Sequence, residues 1–418
     1  MFAIKFEYMK YLFSQKFLFL TVYFLFLKII CLSAQIVKDH DQSGAIVDTP
    51  YVRSLFVEIK GVSFFKNNEF EGDFLKGYTL PGFWLQPKAV YYPLKAVKLE
   101  AGLHLLRFWG ADKYPNYAYS DIANWKADDY QFGFHLLPYL RAQAALSKNL
   151  TVVIGNIYGG GNHGLIEPLY NPELNLIADP ETGLQFLYQS NVVDMDIWMN
   201  WESFIFNSDG HQEAFTAGFS SRINYNRPES KVHWYTPIQL LAQHRGGEID
   251  TIQKKSVQTL INGSVGVGAF WNLQHDLFKN VNMELDMLGF YQQAGDLWPF
   301  DRGYGLYARA STDIRDFRLK TAYWQCEDFI SMLGSPFYGA ISMSEDEVTF
   351  IKPRMLTVGL EYTKNFGEGY SLGVDFESYQ HFQAEMNTPE GIQKRKHCMS
   401  FSAGVYFRLS PSFLLKRF

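Results

Sequence analysis

The dominant pattern in the chain is alternation. From Gly303 to Gln325 it reads GYGLYARASTDIRDFRLKTAYWQ, with Tyr304, Leu306, Ala308 and Ala310 on one parity and Tyr307, Arg309 and Ser311 between them. After TDIRD the pattern resumes, Phe317, Leu319, Thr321 and Tyr323 alternating with Arg318, Lys320, Ala322 and Trp324. A period of two sends successive side chains to opposite faces of a strand, so the stretch predicts a β-hairpin with one apolar and one polar face. Elsewhere Leu356, Val358, Leu360 and Tyr362 oppose Thr357, Gly359, Glu361 and Thr363, and Met283, Leu285 and Met287 oppose Glu284 and Asp286. Sixteen such strands are read, at 53–62, 80–92, 97–109, 134–146, 150–158, 183–190, 193–203, 214–224, 233–244, 259–271, 281–292, 304–313, 317–325, 355–363, 370–379 and 399–409. Most have the length a tilted strand needs to cross a bilayer.

The connections say which kind of sheet this is. After even-numbered strands they are mostly short, as in PLKA, SKN, NV, DIRD and KNFGEG. After odd-numbered strands they are mostly long, at 110–133, 159–182, 245–258, 326–354 and 380–398. Short turns at one end and long loops at the other are the asymmetry of an all-β transmembrane antiparallel barrel, with periplasmic turns and extracellular loops. The apolar parity would then face lipid. The polar parity, also rich in glycine, would face a wet lumen. Aromatic residues near strand ends (Tyr91, Tyr92, Trp109, Trp234, Trp271, Trp324) have the placement of interfacial girdles.

Composition agrees. Apolar content is 47% and aromatic content 17%, while mean hydropathy is −0.15 and no run in the body could form a membrane helix. The N-terminus differs: Lys10 and Lys16 precede FLFLTVYFLFL, and CLSAQ offers small residues for cleavage, which predicts a signal peptide over 1–34. A short periplasmic segment, 35–50, and a barrel over 51–418 would follow. Removing the leader takes four of the 38 basic residues (Lys5, Lys10, Lys16, Lys28) and one of the 43 acids (Glu7), leaving a net charge of −8. That balance argues against nucleic acid as a partner. Only Cys326 and Cys398 remain, so no disulfide framework or cysteine metal site is expected.

Over about residues 50–409 this architecture resembles the Gram-negative outer-membrane β-barrel superfamily, and within it the porins. The resemblance implies an outer-membrane location, about sixteen strands (range 14–18), contact with outer-membrane lipid and with the barrel assembly machinery, and compatibility with homo-oligomers. Porins of this kind usually end on a strand with a terminal aromatic residue. Here FSAGVYFRL is such a strand, but SPSFLLKRF follows it, and Pro411 would interrupt a simple extension. The function implied is passive diffusion of small hydrophilic solutes. The alternative is a surface barrel that binds polysaccharide or another macromolecule, with a barrel enzyme third. No enzymatic activity and no cofactor or metal are expected.

The third long connection, GNHGLIEPLYNPELNLIADPETG, carries Glu167, Glu173, Asp179 and Glu181 and no lysine or arginine. By resemblance it would fold into the lumen as an acidic constriction facing lumenal basic residues, Arg141, Arg222, Arg309, Arg318 and Lys320, and opposed charge of this kind selects solutes. A solvated acidic surface loop is the alternative, although Leu165, Ile166, Leu169, Leu174, Leu176 and Ile177 favour packing inward. NSDGHQE, with Ser208, Asp209 and His211, comes nearest to a hydrolase set, but three polar residues in a turn make a turn first. In the seventh long connection Glu345, Asp346 and Glu347 are adjacent, which does not by itself form a Ca²⁺ cage.

Overall fold

The computed structural model describes residues 50–109, 133–206, 211–247, 257–273, 275 and 277–418. The leader over 1–34 and nearly all of the segment over 35–50 therefore lie outside the described residues. The wall begins with β1 (Ser54–Glu69), β2 (Tyr78–Leu94), β3 (Val97–Phe108), β4 (Phe134–Ala145), β5 (Leu150–Asn156), β6 (Thr182–Gln189) and β7 (Val193–Ser203). It continues through β8 (Ala214–Asn224), β9 (Val232–Arg245), β10 (Gln258–Asn272), β11 (Phe278–Ala294), β12 (Arg302–Ile314) and β13 (Phe317–Glu327). A short strand, β14 (Thr349–Ile351), leaves the wall before β15 (Arg354–Gly367) and β16 (Tyr370–His381) rejoin it. The outer hairpin β17 (Ala384–Thr388) and β18 (Gly391–Arg395) precedes β19 (Cys398–Leu409) and β20 (Ser412–Arg417).

Each wall strand pairs antiparallel with the next, and β1 pairs with β19 from Gly61↔Leu409 to Glu69↔Phe401, which closes the barrel. Closure removes the free edges that an open sheet would expose. The last wall strand is in two pieces. Beyond the break, β20 pairs with the first half of β1, from Glu58↔Ser412 to Ser54↔Arg417. Pro411 lacks a donor, yet its carbonyl still accepts the Ile59 N–H at 3.1 Å. The strand does break at the proline, as expected, but the wall continues past it, and Phe418 donates its N–H to the Arg53 carbonyl at 2.8 Å. The count is sixteen wall strands.

The face assignment holds. Met283, Leu285 and Met287 are exposed on the outer surface while Glu284 and Asp286 are buried inside. On the opening hairpin Tyr304, Leu306 and Leu319 face out, and Tyr307 and Trp324 are buried. The outward apolar residues would find lipid there, which is the favourable transfer for them.

The interior differs from the expected wet lumen. Two long connections fold inward and bury an apolar core inside the barrel. Residues 157–181 bring in Ile166, Leu169, Leu174, Leu176 and Ile177, and residues 328–351 bring in Phe329, Ile330, Phe337, Tyr338, Ala340, Ile341 and Phe350. They pack on lumenal Trp198, Leu241, Leu260, Leu288, Tyr307 and Trp324 on one side and on Phe64, Leu80, Leu106 and Tyr406 on the other. The two connections also touch each other, with Asn171 donating its N–H to the Leu333 carbonyl at 2.8 Å and Ser331 Oγ donating to the Pro168 carbonyl at 2.7 Å. Above them β14, β17 and β18 form a separate three-stranded sheet.

Candidate functional site

A buried loop must find partners for its backbone polar groups. Neutral amides on the lumenal parity supply them. Gln239 accepts the Ile166 N–H at 3.0 Å and donates to the Gly164 carbonyl at 3.0 Å. Asn262 donates to the Ile330 carbonyl at 2.9 Å and accepts the Met332 N–H at 3.1 Å. Gln185 accepts the Tyr158 N–H at 2.9 Å. The chain turns sharply at Gly160 and Gly164, whose φ values of 62° and 67° favour glycine.

Three of the four acids of the third connection tie it to different parts of the wall, and the fourth, Glu181, braces the connection itself. Glu167 accepts Lys320 Nζ at 3.2 Å and the Tyr338 hydroxyl at 2.9 Å, so it joins the two inward connections to β13. Burial alone would raise the carboxyl pKa, but Lys320 and Tyr338 hold it below the usual carboxylate range. Glu173 meets Lys66 at 3.3 Å, Asn68 Nδ2 at 2.9 Å and the Tyr78 hydroxyl, on β1 and β2. Asp179 meets His135 Nδ1 on β4. Glu181 accepts His163 Nε2–H at 2.9 Å and the Gly160 N–H at 2.7 Å.

Of the five predicted basic residues, Lys320 alone meets a loop carboxylate. It also lies 3.4 Å from Glu361 and 3.3 Å from Glu377. Arg141 donates to the Asn156 and Ile157 carbonyls at 2.6 and 2.9 Å and stacks over Tyr158. Arg222 lies over Tyr235 and bonds Asn224, Arg309 pairs with Glu284, and Arg318 pairs with Asp313 at 2.7 Å. These four take their closest partners from the wall and the backbone, while Arg141 also lines one cavity with Glu173, Asp179 and Glu181 and Arg309 acts electrostatically on Glu167. Sequence reasoning missed Lys66, His135, His163 and Tyr338. Their signal was a lumenal parity or an inward loop, visible only with the acids' partners in place.

Two histidines have opposite settings. His163 is clamped at both nitrogens, Nδ1–H to Asp196 at 2.7 Å and Nε2–H to Glu181 at 2.9 Å, with its ring stacked 3.6 Å from Trp198. Burial would lower its pKa, but the two carboxylates raise it to about 9, so it is an imidazolium at neutral pH and its job is to hold the loop. His135 lies at the outer end of β4, between lipid-facing Phe134 and Leu136, with the Asp179 carboxylate at Nδ1. A carboxylate at Nδ1 fixes the tautomer and stabilises the imidazolium that forms when Nε2 takes a proton. Ser208 and Asp209 of the predicted rim set lie outside the described residues, and the His211 ring bonds the Phe204 carbonyl at 3.0 Å.

A cavity of about 510 Å³ remains beside the third connection, lined by its Glu173, Asp179 and Glu181 and by Trp84, His104 and Arg141 of the wall, and reaching Gly367 and Ser410 at the short-turn end.

Residues 47–418 match the model of a family described as lipid A 3′-O-deacylase-type. No curated protein matches the sequence. Among solved structures, OccAB4 of Acinetobacter baumannii is 11% identical, with 87% of this chain and 100% of that one covered and a TM-score of 0.47. OprD of Pseudomonas aeruginosa is 9% identical, with 89% and 98% covered and a TM-score of 0.48. At that distance neither likeness speaks to function. The family match corrects one expectation, that the chain is not an enzyme, because the family is one of outer-membrane enzymes. The protein is an outer-membrane β-barrel.

Proposed function

The chain belongs to the lipid A 3′-O-deacylase-type family, and from that premise we propose that it hydrolyses an ester-linked acyl chain of a lipid A-type glycolipid in the outer leaflet, in place of passing solutes by diffusion. The observation that carries this reading is the family match over 47–418. The two inward connections support it, since their buried apolar core occupies lumen that passive diffusion of hydrophilic solutes would use. In the reaction, water adds to the acyl carbonyl carbon as a base takes its proton, and the sugar oxygen leaves with a proton. The products are a fatty acid and a free hydroxyl on the glycolipid.

His135 is the described residue whose setting suits the base. Asp179 orients it at Nδ1, and its ring is buried on the lumenal side of β4 near the outer end, between lipid-facing Phe134 and Leu136. General-base assistance of this kind contributes about 10²–10⁴-fold to a rate. The test is refolded protein with lipid A in mixed micelles, followed by mass spectrometry for loss of one acyl chain. Acyl loss by the wild type, and its near-abolition in His135→Ala, is the expected result. Intact lipid A together with discrete ohmic steps in a planar bilayer would return the chain to a diffusion channel.

A further inference from the structure

His135 projects into the barrel, whereas an outer-leaflet lipid lies outside it, and the register of β4 shows where the two can meet. β4 keeps its ladder with β3 from Arg107↔Phe134 to Val97↔Ala144. With β5 it pairs only from Arg141↔Gly155 to Ala145↔Thr151. β5 stops at Asn156, opposite Thr182 at the start of β6, and the chain then turns inward. The outer half of β4, from Phe134 to Leu140, therefore has a free edge about 20 Å long, beside two strands that end below it.

Backbone parity identifies the groups on that edge. Phe108 donates its N–H to the Gly133 carbonyl and Ala145 its N–H to the Ala96 carbonyl, each at 2.9 Å, so odd-numbered residues of β4 bond β3 and even-numbered ones face the gap. The Leu140 N–H is capped by Asn156 Oδ1 at 2.7 Å. Pro138 has no N–H to offer, as suits a strand edge. The Leu136 N–H has no acceptor among the described residues. Around the gap the outward side chains are apolar: Phe134, Leu136 and Leu140 on β4, Ile154 on β5 and Leu184 on β6 are all exposed. Behind it the third connection returns to the wall through residues 178–181, where Asp179 meets His135 Nδ1 and the Glu181 carbonyl accepts the Ile157 N–H at 2.9 Å. The same four residues line the cavity.

We propose that this gap is a lateral entrance through which an acyl ester of an outer-leaflet lipid reaches the His135–Asp179 pair, with the Leu136 N–H receiving the ester carbonyl oxygen. A backbone N–H turned toward hydrocarbon is costly to leave unmet. A bare hydrocarbon chain would cover the apolar flanks and leave that donor unmet. Water would meet the donor and leave the flanks wet. An acyl ester does both, with its chain on the flanks and its carbonyl on the donor. The inference rests on the reading that the substrate is an acylated lipid, and it assigns the route and the docking edge of that substrate.

The experiment irradiates the purified full chain in mixed micelles with lipid A that carries a diazirine in the first few carbons of an ester-linked acyl chain. Cross-linked peptides are mapped by mass spectrometry. Label is expected on 178–181 and His135 as well as on outward Leu136 and Leu140. On β11 it should reach outward Met283, Leu285 and Met287 but not lumenal Glu284 and Asp286. Leu136→Pro removes the edge N–H without breaking the β3 ladder, and should lower labelling of 178–181 about three- to tenfold relative to β11, the scale of one hydrogen bond. Leu136→Ala keeps the N–H and should keep the label. Unchanged heat-modifiable gel migration verifies folding, and the wild-type pattern decides the question if Leu136→Pro does not fold. Label confined to outward side chains on β4, as on β11, overturns the proposal, and full labelling in folded Leu136→Pro overturns the Leu136 contact. Label at 178–181 without acyl release supports the entrance while removing the hydrolase reading. Acyl release with no label there does the reverse.

Discussion

Replacing His163 tests how the inward connection is held. Its imidazolium donates to Asp196 and Glu181, and its pKa stands at about 9 against an ordinary 6.5. Because the folded pKa is raised, the stabilisation is fully present below the ordinary value and is lost as pH rises through about 9. At about 1.4 kcal/mol per unit, the clamp contributes about 2.5 kcal/mol at pH 7 and almost nothing at pH 10. Burial keeps solvent from screening the pair, so the figure applies to opening of the loop and not to the wall. The assay is hydrogen exchange of a peptide spanning 159–178 at pH 7 and pH 10, corrected for intrinsic exchange and compared with peptides of β10 and β11. Protection of the loop should fall by roughly 50- to 100-fold relative to those strands. His163→Asn should lose protection already at pH 7, because Asp196 and Glu181 are left without their cation, and should show little further change at pH 10. Loop protection that is equal at the two pH values in wild type would refute the argument, as would an unaltered pH dependence in His163→Asn.

Three other outcomes follow from the packing. Gly218→Ala should displace Trp198, since a Cβ would sit 2.0 Å from Cζ2 of its ring, and should release the 159–178 peptide at pH 7 as His163→Asn does. Glu167→Gln removes the charge that Lys320 and Tyr338 meet; at about 1–3 kcal/mol for a lost charged hydrogen bond, it should raise the modification rate of buried Cys326 about tenfold or more in a Cys398→Ser background. Deleting residues 412–418 removes the pairing of the first half of β1 with β20 and should lower the temperature at which the barrel loses its fast gel migration; an unchanged temperature would show that the β1–β19 ladder alone closes the wall.

The alternation of residues such as Leu356 to Thr363 determined the strands and their two faces, and the short and long connections between them determined hairpin order and which face meets lipid. That information is local, because a period of two is written in neighbouring residues and needs no distant contact to be read. The rule that polar parity means a wet lumen failed for the same reason. Gln239, Asn262, Trp198 and Lys320 are lumenal and look like isolated positions on four different strands. Barrel closure brings them around one space, where they satisfy the backbone and carboxylates of two inward loops. Glu167, Glu173, Asp179 and Glu181 were legible as an acidic loop, yet their partners Lys320, Lys66, His135 and His163 could not be assigned from spacing. Pro411 teaches the same lesson at the seam. Local rules end a strand there, and β19 does end before it; that the wall goes on, with Ile59 bonded to the proline carbonyl and Ser412–Arg417 paired with the first half of β1, is decided by closure.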